Sequence, residues 1–270
     1  SMHHWRLINS GFQTGAMNMA LDEALLHSVA NGASLPVLRF YRWQPATVTL
    51  GYAQSVIKDL DLDVCRREGL DVVRRSTGGR AVLHDHELTY SVIAPLNSVF
   101  FGNSVLDCYR VISEILQKTL IQLGLPAHLV PGKPRGRNQA STKAVCFSTP
   151  SQYELVIDGR KVAGSAQKRH GQAFLQHGSI PIEMDLELLS KALKTRSNDS
   201  STGLLNSVGW LNQWSDKPLA ISDVEKLLAE VFAKHLQLDW IHSEPSLAEM
   251  QEARRMSAEK FNHPEWNMKR

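Results

Sequence analysis

A cysteine and a lysine in the middle of the chain have the types and spacing of a nucleophile and its activating cation. Cys146 stands beside Phe147, between a basic stretch at 132–143 and a predicted strand. A thiol attacks as the thiolate, and a nearby cation lowers its pKa. Lys161 follows Asp158-Gly159, a dipeptide typical of tight β-hairpins, so the chain can fold back and return the amine toward the thiol. The alternative is an unreactive loop cysteine.

A second candidate is the run RRSTGGRAVLH, residues 74–84. Its arginines can offer charge, its serine and threonine can offer hydroxyl donors, and its two adjacent glycines permit a turn that a ligand can approach closely. The run therefore suits an acyl carbonyl, a carboxylate or a phosphate. The alternative is a glycine turn with solvated arginines. A P-loop is excluded because no Gly-Lys-Ser ending follows.

The histidines and carboxylates give weaker signals. His84 and His177 lack metal-site spacing, and no Gly-x-Ser-x-Gly elbow is present. His84 fits a core position as well as an acid or base, and His177 is expected to secure a strand end by hydrogen bonds. Asp22 and Glu23 do not form a catalytic pair, since adjacent helical positions point in different directions.

The cysteine count indicates a reducing compartment. Three cysteines are too few, and odd in number, for a disulfide framework, so a cytoplasmic location is expected. Cys65 and Cys108 each lie within a predicted helix, where a small core residue is the better interpretation.

The elements that must position these residues follow from hydrophobic periodicity. Strands are predicted at 5–9, 37–41, 47–50, 72–73, 88–94, 153–157, 160–163 and 173–182, and helices at 18–29, 61–68, 104–123, 185–193, 221–235 and 245–260. Strands dominate the middle without regular alternation with helices. This pattern predicts an α+β fold with mixed sheets.

Composition excludes several classes of protein. The chain has 270 residues, of which 43% are hydrophobic and 21% charged, with a formal net charge of +3. These are ordinary globular values. No apolar stretch has the length of a membrane span. The positive excess is too slight to predict nucleic-acid binding, but it suits a weakly bound acidic protein.

Seven blocks of the sequence, in order and spread over nearly the whole chain, resemble the lipoate-protein ligase A and octanoyltransferase family. That family is related in fold to the biotin-protein ligases. The blocks are MNMALDEALL, LRFYRW, VTLGYAQ, RRSTGGRAVLH, GRKVAGSAQKR, LQHGS and EKFNHPEWN. The resemblance implies a biotin/lipoyl-protein-ligase-like catalytic domain at 3–215, with mixed sheets flanked by helices, and a C-terminal helical extension at 216–270 packed on it.

One block bears on the mechanism. ATP-dependent ligases of the family typically carry Arg-Asn-Asp before the lysine hairpin, whereas this chain has AVCFSTPSQYEL, residues 144–155. That block is similar to octanoyltransferases whose nucleophile lies in an Ala-x-Cys-Phe context. The resemblance implies that Cys146 accepts the acyl chain as a thioester and that Lys161 lowers the pKa of the thiol.

The resemblance also implies a substrate-binding set. Arg80 stands where relatives commonly have a third glycine, which makes close wrapping around an adenylate less favourable. The implied substrate-binding residues are Arg75, Thr77, Gly78, Gly79, Arg80, Ala81, His84, Gly164 and Ser165.

The expected function is octanoyl transfer in lipoate biosynthesis. The donor would be a thioester of acyl carrier protein, and the acceptor a lysine of a lipoyl-carrier domain such as glycine cleavage H protein, with no cofactor, nucleic acid or membrane involved. The runner-up is a lipoate or octanoate ligase that uses ATP and magnesium to form an acyl-adenylate. A third reading is a non-catalytic relative that only binds the carrier.

Overall fold

The computed structural model describes residues 3–96, 98–102, 104–131, 153–194 and 207–270. The predicted basic loop at 132–143 and Cys146 lie outside the described residues. The described strands are β1 (His3–Gln13), β2 (Val37–Trp43), β3 (Thr47–Leu50), β4 (Asp71–Arg74), β5 (Val82–His84), β6 (Glu87–Pro95), β7 (His128–Pro131), β8 (Tyr153–Ile157), β9 (Arg160–Lys161), β10 (Gly164–His170), β11 (Ala173–Pro181) and β12 (Leu238–His242).

Helices lie between and after these strands. They are α1 (Gly15–Ala30), α2 (Val56–Asp59), α3 (Leu62–Arg67), α4 (Val105–Gln122), α5 (Leu186–Ala192), α6 (Ile221–Leu236), α7 (Leu247–Met256) and α8 (Pro264–Asn267), with a 3-10 turn at Leu211–Gln213 and a π turn at Ser257–Phe261. No helix in the described ranges is both long enough and apolar enough to span a bilayer.

Three sheets organise the described chain. The largest has six strands in the order β10-β11-β6-β2-β1-β12. Its β1 pairs in parallel with β2 and β12, whereas the other neighbours are antiparallel. The two smaller sheets are β4-β3-β5 and β7-β8-β9. The expected α+β fold with mixed sheets is confirmed.

Side chains alternate between the two faces of the large sheet along each strand, and both faces are covered. On one face, Val92 of β6 belongs to a core shared with α4 and α6. On the other face, Val37, Ile93 and Leu175 pack with α1. These three residues are direct neighbours across β2, β6 and β11, so they form one apolar row beneath the helix.

The next row on the α1 face is polar. The strand register places Arg39 beside Ser91, and Ser91 beside His177. All three side chains are buried, and Asp22 of α1 lies over them. The sheet thus changes from apolar packing to a buried polar layer within two residues along each strand.

The end of the chain closes over α1. Strand β12 adds a parallel edge strand to β1, and α7 packs against α1. Ala253, Met256 and Phe261 join a core cluster with Met19 and Ala20 of α1. The domain boundary expected after residue 215 stays a prediction.

All the predicted helices and all eight predicted strands are present, with shifted ends. Four strands are missed: β5, β7, β10 and β12. The run GSAQKRH of β10 is polar, and among the described strands β10 lies at the edge of its sheet and pairs with β11 alone. Its β structure depends on that pairing, which the local sequence pattern does not reveal.

Candidate functional site

The loop between β4 and β5, residues 75–81, is organised around the buried guanidinium of Arg75. Arg75 donates through Nε to Thr77 Oγ1 at 3.3 Å, through Nη1 to Thr49 O at 3.2 Å and Thr49 Oγ1 at 2.7 Å, and through Nη2 to the carbonyls of Gly78 at 2.7 Å and Arg80 at 3.0 Å. Burial lowers the pKa of Arg75 to about 10, so it remains charged at neutral pH. All five N–H groups of Arg75 are therefore used, three within its own loop and two on Thr49 of β3.

This arrangement sets the direction of two peptide units. In a trans peptide the C=O and N–H bonds point in opposite directions. Because the Gly78 carbonyl accepts from Arg75, the N–H of Gly79 points away from the guanidinium. The Arg80 carbonyl also accepts from Arg75, so the N–H of Ala81 likewise points away from the guanidinium. Gly79 and Arg80 are exposed, so this part of the loop lies at the protein surface.

Glycine is required where the loop passes the end of β3. Gly79 has a positive φ of 95°. A Cβ on Gly51 would lie 1.9 Å from the Gly79 carbonyl oxygen, a distance at which no side chain fits. The backbone of the loop is further held by Tyr52, whose N–H donates to Thr77 O at 2.9 Å. The glycine turn is a close backbone contact. The alternative of solvated arginines is wrong for Arg74 and Arg75, which are buried, while Arg80 is exposed.

A buried hydrogen-bond chain connects this loop to α1. Thr77 Oγ1 lies 2.7 Å from His177 Nε2, and His177 Nδ1 lies 3.0 Å from Asp22 Oδ2. Burial lowers the pKa of His177 even though Asp22 opposes the shift, so the ring is neutral at pH 7. A carboxylate accepts only, so Nδ1 carries the proton and Nε2 accepts from Thr77. The hydroxyl of Thr77 is thereby fixed in direction.

Asp22 is the hub of that chain. It accepts from Arg39 Nη1 at 2.8 Å, from Tyr41 OH at 2.9 Å and from Ser91 Oγ at 2.7 Å. Burial acts to raise the pKa of Asp22, but the Arg39 charge, followed by the His177 and Ser91 contacts, holds it below its ordinary value. Sequence reasoning missed this role. The available signal was Asp22 lying three residues from Met19 and Leu25, on the apolar side of the helix.

His84 belongs to a second hydrogen-bond chain, which reaches the Arg75 guanidinium through Thr49. Its Nε2 lies 2.8 Å from Thr49 Oγ1, its Nδ1 lies 2.9 Å from Glu87 Oε2, and its ring stacks on Trp43 with centroids 4.1 Å apart. Thr49 Oγ1 therefore contacts both the Arg75 guanidinium and the His84 ring. His84 is buried, which places it behind the loop.

Glu23 forms a separate cluster at the rim. Its carboxylate accepts from Lys168 Nζ at 2.8 Å, from Lys260 Nζ at 3.0 Å and from the Ser76 hydroxyl. Burial acts to raise the pKa of Glu23, but the two ammonium groups and then the serine lower it to about 2. Asp22 and Glu23 thus have different partners, as expected, yet each has a role that the sequence did not indicate.

The remaining predicted site residues lie elsewhere. Lys161 is half-exposed on β9, with Nζ 3.9 Å from Glu154 Oε1. Because Cys146 lies outside the described residues, its pairing with Lys161 stays a prediction. Gly164 and Ser165 begin β10, and Ser165 Oγ lies 2.8 Å from Tyr90 OH, which belongs to the core on the α4 face. The structure therefore does not bring the Ser165 side chain to Thr77.

The other two cysteines are core residues, as predicted. Cys65 and Cys108 are buried free thiols. Burial is the main cause that raises the pKa of both, to about 11 for Cys108. Neither is a thiolate at neutral pH, and thus neither suits nucleophilic attack.

Two further features lie apart from the loop. A cleft of about 470 Å³ is lined by acidic side chains that include Asp85 and Glu183, and by none of the predicted site residues that the structure describes. Within the described ranges, no group of three or more His, Cys, Asp or Glu side chains is placed to hold a metal ion.

Comparison with known proteins gives consistent results. The family model of the lipoyl protein ligase A/B catalytic domain matches residues 14–233. The octanoyltransferase LipM of Carboxydothermus hydrogenoformans is 39% identical over 98% of this chain and 98% of its own length. That of Staphylococcus aureus is 39% identical over 97% of each chain.

Solved structures resemble the whole described fold. One is the bipartite lipoate protein ligase of Thermoplasma acidophilum, from a study that includes its E2 lipoyl domain. It has a TM-score of 0.82 and 26% identity, covering 98% of this chain and 96% of the other. A lipoate-protein ligase A bound with ATP has a TM-score of 0.80 and 27% identity, covering 99% of each chain.

Proposed function

This chain belongs to the lipoyl protein ligase A/B catalytic family, and on that premise we propose that it moves an octanoyl group from acyl carrier protein, through a thioester on Cys146, to a lipoyl-carrier lysine. The chain is an octanoyltransferase of lipoate biosynthesis, in line with full-length relatives at 39% identity. The proposal concerns the donor, the intermediate, the acceptor and the residues that act.

The loop at 75–81 supports the proposal as a rigid set of hydrogen-bond donors, and this is the observation that carries it. Arg75 fixes the peptide after Gly78 so that the N–H of Gly79 points away from the guanidinium, at a residue that is exposed. A donor held in advance stabilises the oxyanion that forms when a thioester carbonyl is attacked. Gly78, Gly79, Arg80 and Ala81 would line the acyl carbonyl, with Thr77 and His84 behind them.

Two transfers would complete the reaction. In the first, the Cys146 thiolate attacks the donor carbonyl, the carbon–sulfur bond of the donor breaks, and the carrier thiol takes up a proton. In the second, the acceptor lysine amine attacks the enzyme thioester, loses a proton, and Cys146 leaves as thiolate. Lys161 would stabilise that thiolate in both steps. A thioester is already activated, so neither step needs ATP or magnesium.

The carrier partners follow the same logic. Acyl carrier protein would deliver the octanoyl thioester, and a lipoyl domain or glycine cleavage H protein would present the lysine. The Thermoplasma acidophilum ligase was studied together with an E2 lipoyl domain, which supports an acceptor of that class. The cytoplasm, where thiols stay reduced, is the proposed location.

The second candidate is ATP-dependent ligation of free octanoate or lipoate. It is favoured by the 27% identity to a ligase bound with ATP over nearly the full length of both chains. That reaction would pass through an acyl-adenylate and would not use the Cys146 thiol.

Intact mass of the protein after mixing with octanoyl acyl carrier protein, without ATP, separates the candidates. The wild type is expected to become one octanoyl group heavier, and Cys146→Ala is expected to stay unmodified. Cys65→Ala serves as the matched control, because its thiol is buried and protonated, and it should still form the adduct.

The acceptor assay completes the test. Addition of apo H protein should remove the octanoyl group from the wild type and acylate one lysine of the acceptor. Pyrophosphate release with ATP and octanoate, undiminished in Cys146→Ala, would instead establish the ligase. A Cys65→Ala protein that loses the adduct while Cys146→Ala keeps it would reject Cys146 as the nucleophile.

A further inference from the structure

The segment 260–267, called here the clamp segment, covers the end of β4, where the loop begins. Trp266 Nε1 donates to Arg74 O at 2.8 Å, and the Arg74 N–H donates to Asn267 Oδ1 at 2.9 Å. The Asn267 amide is itself anchored, because its Nδ2 donates to Phe261 O at 2.7 Å. Both backbone polar groups of Arg74 are therefore bonded to residues that lie far along the chain.

The Arg74 side chain connects the clamp segment to the turn after β3. Its Nη1 donates to the carbonyls of Gly51, Tyr52 and Gln54 at 3.0, 3.1 and 2.7 Å. Tyr52 in turn donates its N–H to Thr77 O. Gly51 is the residue against which Gly79 packs. The clamp segment thus contacts the same backbone that supports the glycine turn.

A second connection runs through Lys260. Its Nζ lies 3.0 and 3.1 Å from the two oxygens of Glu23 and 3.1 Å from Ser76 Oγ, within the loop. The Ser76 hydroxyl donates to Glu23. The ammonium group also lies over the Trp266 ring, 4.3 Å from its centroid. Lys260 therefore joins α1, the loop and the indole that holds Arg74.

We propose that Lys260 is a positioning residue for octanoyl transfer, acting through Glu23 and Ser76 to hold the Gly78-Gly79 turn where it meets the acyl carbonyl. The proposal rests on the octanoyltransferase function above. Without the ammonium group, Ser76 keeps one partner instead of two, and the start of the loop loses its contact with the clamp segment. Small displacements of a positioning element reduce rates strongly, because the reacting atoms must be aligned.

Core packing of the segment does not depend on this charge. Phe261 is buried with Met256 and Ala253 against α1, and Trp266 packs beside them. A methionine at 260 retains an unbranched apolar stem over the indole and loses only the charge and the hydrogen bonds. Lys260→Met should therefore leave the fold intact while removing the contact between residue 260 and Ser76 of the loop.

The experiment compares Lys260→Met, Lys260→Arg and a control from the same region. Arg255→Met is the control, since Arg255 is exposed and contacts only Glu259 among the ion pairs of the described residues. With octanoyl acyl carrier protein and apo H protein, Lys260→Met is expected to lower kcat/KM by about tenfold to a hundredfold. Lys260→Arg should recover most of the loss, and Arg255→Met should stay within twofold.

Two readouts distinguish positioning from a general loss of stability. The midpoint of thermal unfolding should lie well above the assay temperature for every variant. Hydrogen exchange should accelerate in a peptide covering 74–81 of Lys260→Met, and stay unchanged in a peptide covering β6. In a double-mutant cycle, Ser76→Ala and Lys260→Met should be non-additive in kcat/KM, because both act on the same contact.

Contrary outcomes are equally specific. If Lys260→Met keeps kcat/KM within twofold of the wild type and leaves exchange at 74–81 unchanged, the proposal is overturned. It is also overturned if arginine fails to restore a rate that methionine lowers. A wild type that never transfers octanoyl, combined with faster exchange at 74–81 in Lys260→Met, would reject the proposed function while supporting the clamp contact itself.

Discussion

Asp22 and Glu23 are neighbours on α1, yet their surroundings differ in almost every respect. The Asp22 carboxylate is fully enclosed and is held by Arg39, whose side chain is 0% exposed, together with neutral donors. The Glu23 carboxylate is held by Lys168 and Lys260, whose side chains are 24% and 29% exposed. One step along the helix separates an interior network from a rim network.

The difference shows how one helix can serve two purposes. The Asp22 network crosses three strands of the large sheet and ends at Thr77, so it fixes the back of the loop from inside the protein. The Glu23 network joins Ser76 to the clamp segment and fixes the front of the loop at the surface. The interior network is expected to govern stability, and the rim network to govern the placement of the loop.

The largest effect is expected from Asp22→Ala. This change leaves the Arg39 guanidinium buried without its counter-charge, and such a loss costs about 3–5 kcal/mol of unfolding free energy. Urea unfolding at pH 7 measures it. A loss below about 1 kcal/mol would show that the two carboxylates differ less than their burial indicates.

The pH dependence of stability should isolate Glu23. Its pKa falls from an ordinary 4.5 to about 2 in the folded protein, because Lys168 and Lys260 outweigh the effect of burial. Its contribution, at most about 3 kcal/mol, is present above pH 4.5 and is lost as the pH falls toward 2. Unfolding free energies of the wild type and Glu23→Gln should therefore converge over that window. Parallel curves would contradict the assignment.

Salt should weaken the stability contribution of the Glu23 network more than that of the Asp22 network. This difference is expected to be smaller than the two effects above. Ions screen the partly exposed lysines but reach the Asp22–Arg39 pair poorly. Lys168→Met is expected to cost about 1 kcal/mol at low salt and less at high salt. Unfolding at two salt concentrations tests this, and the cost of Asp22→Ala should remain nearly constant between them.

The smallest effect is expected from Arg255→Met. Arg255 and Glu259 form an ion pair whose side chains are 59% and 65% exposed. Pairs of this kind contribute little, so the unfolding free energy should change by less than about 0.5 kcal/mol. A change as large as that of Lys168→Met would mean that burial does not explain the ranking.

Local patterns predicted much of this structure. Helical periodicity predicted α1, α4 and α6, and Asp158-Gly159 predicted the hairpin of β8 and β9 because a tight turn needs positive φ at both positions, which Asp158 and Gly159 have at 49° and 74°. The context of Cys65 and Cys108 predicted core residues, since helix position and apolar neighbours already decide burial. The glycine turn at 78–79 was predicted as a close-approach site for the same kind of local reason.

Contacts between distant residues were not predictable in this way. Arg39, Ser91 and His177 meet because of the pairing register of β2, β6 and β11, and a shift of one residue would turn each side chain to the opposite face. Strand β10 has a polar sequence, and in the described part of the chain its β structure depends on pairing with β11. Lys260 lies 184 positions from Ser76, and nothing near either residue indicates the contact.

The sequence by itself determined the family, the long helices and eight of the twelve described strands, because these depend on composition, short-range spacing and block order. Only the tertiary structure decided that Arg75 supports its own loop and that His177 is neutral between Asp22 and Thr77. It also decided that Lys260, in the clamp segment, contacts α1 and the loop at 75–81. Those outcomes depend on burial and on the register of paired strands. Both arise only when residues far apart in the chain exclude water together.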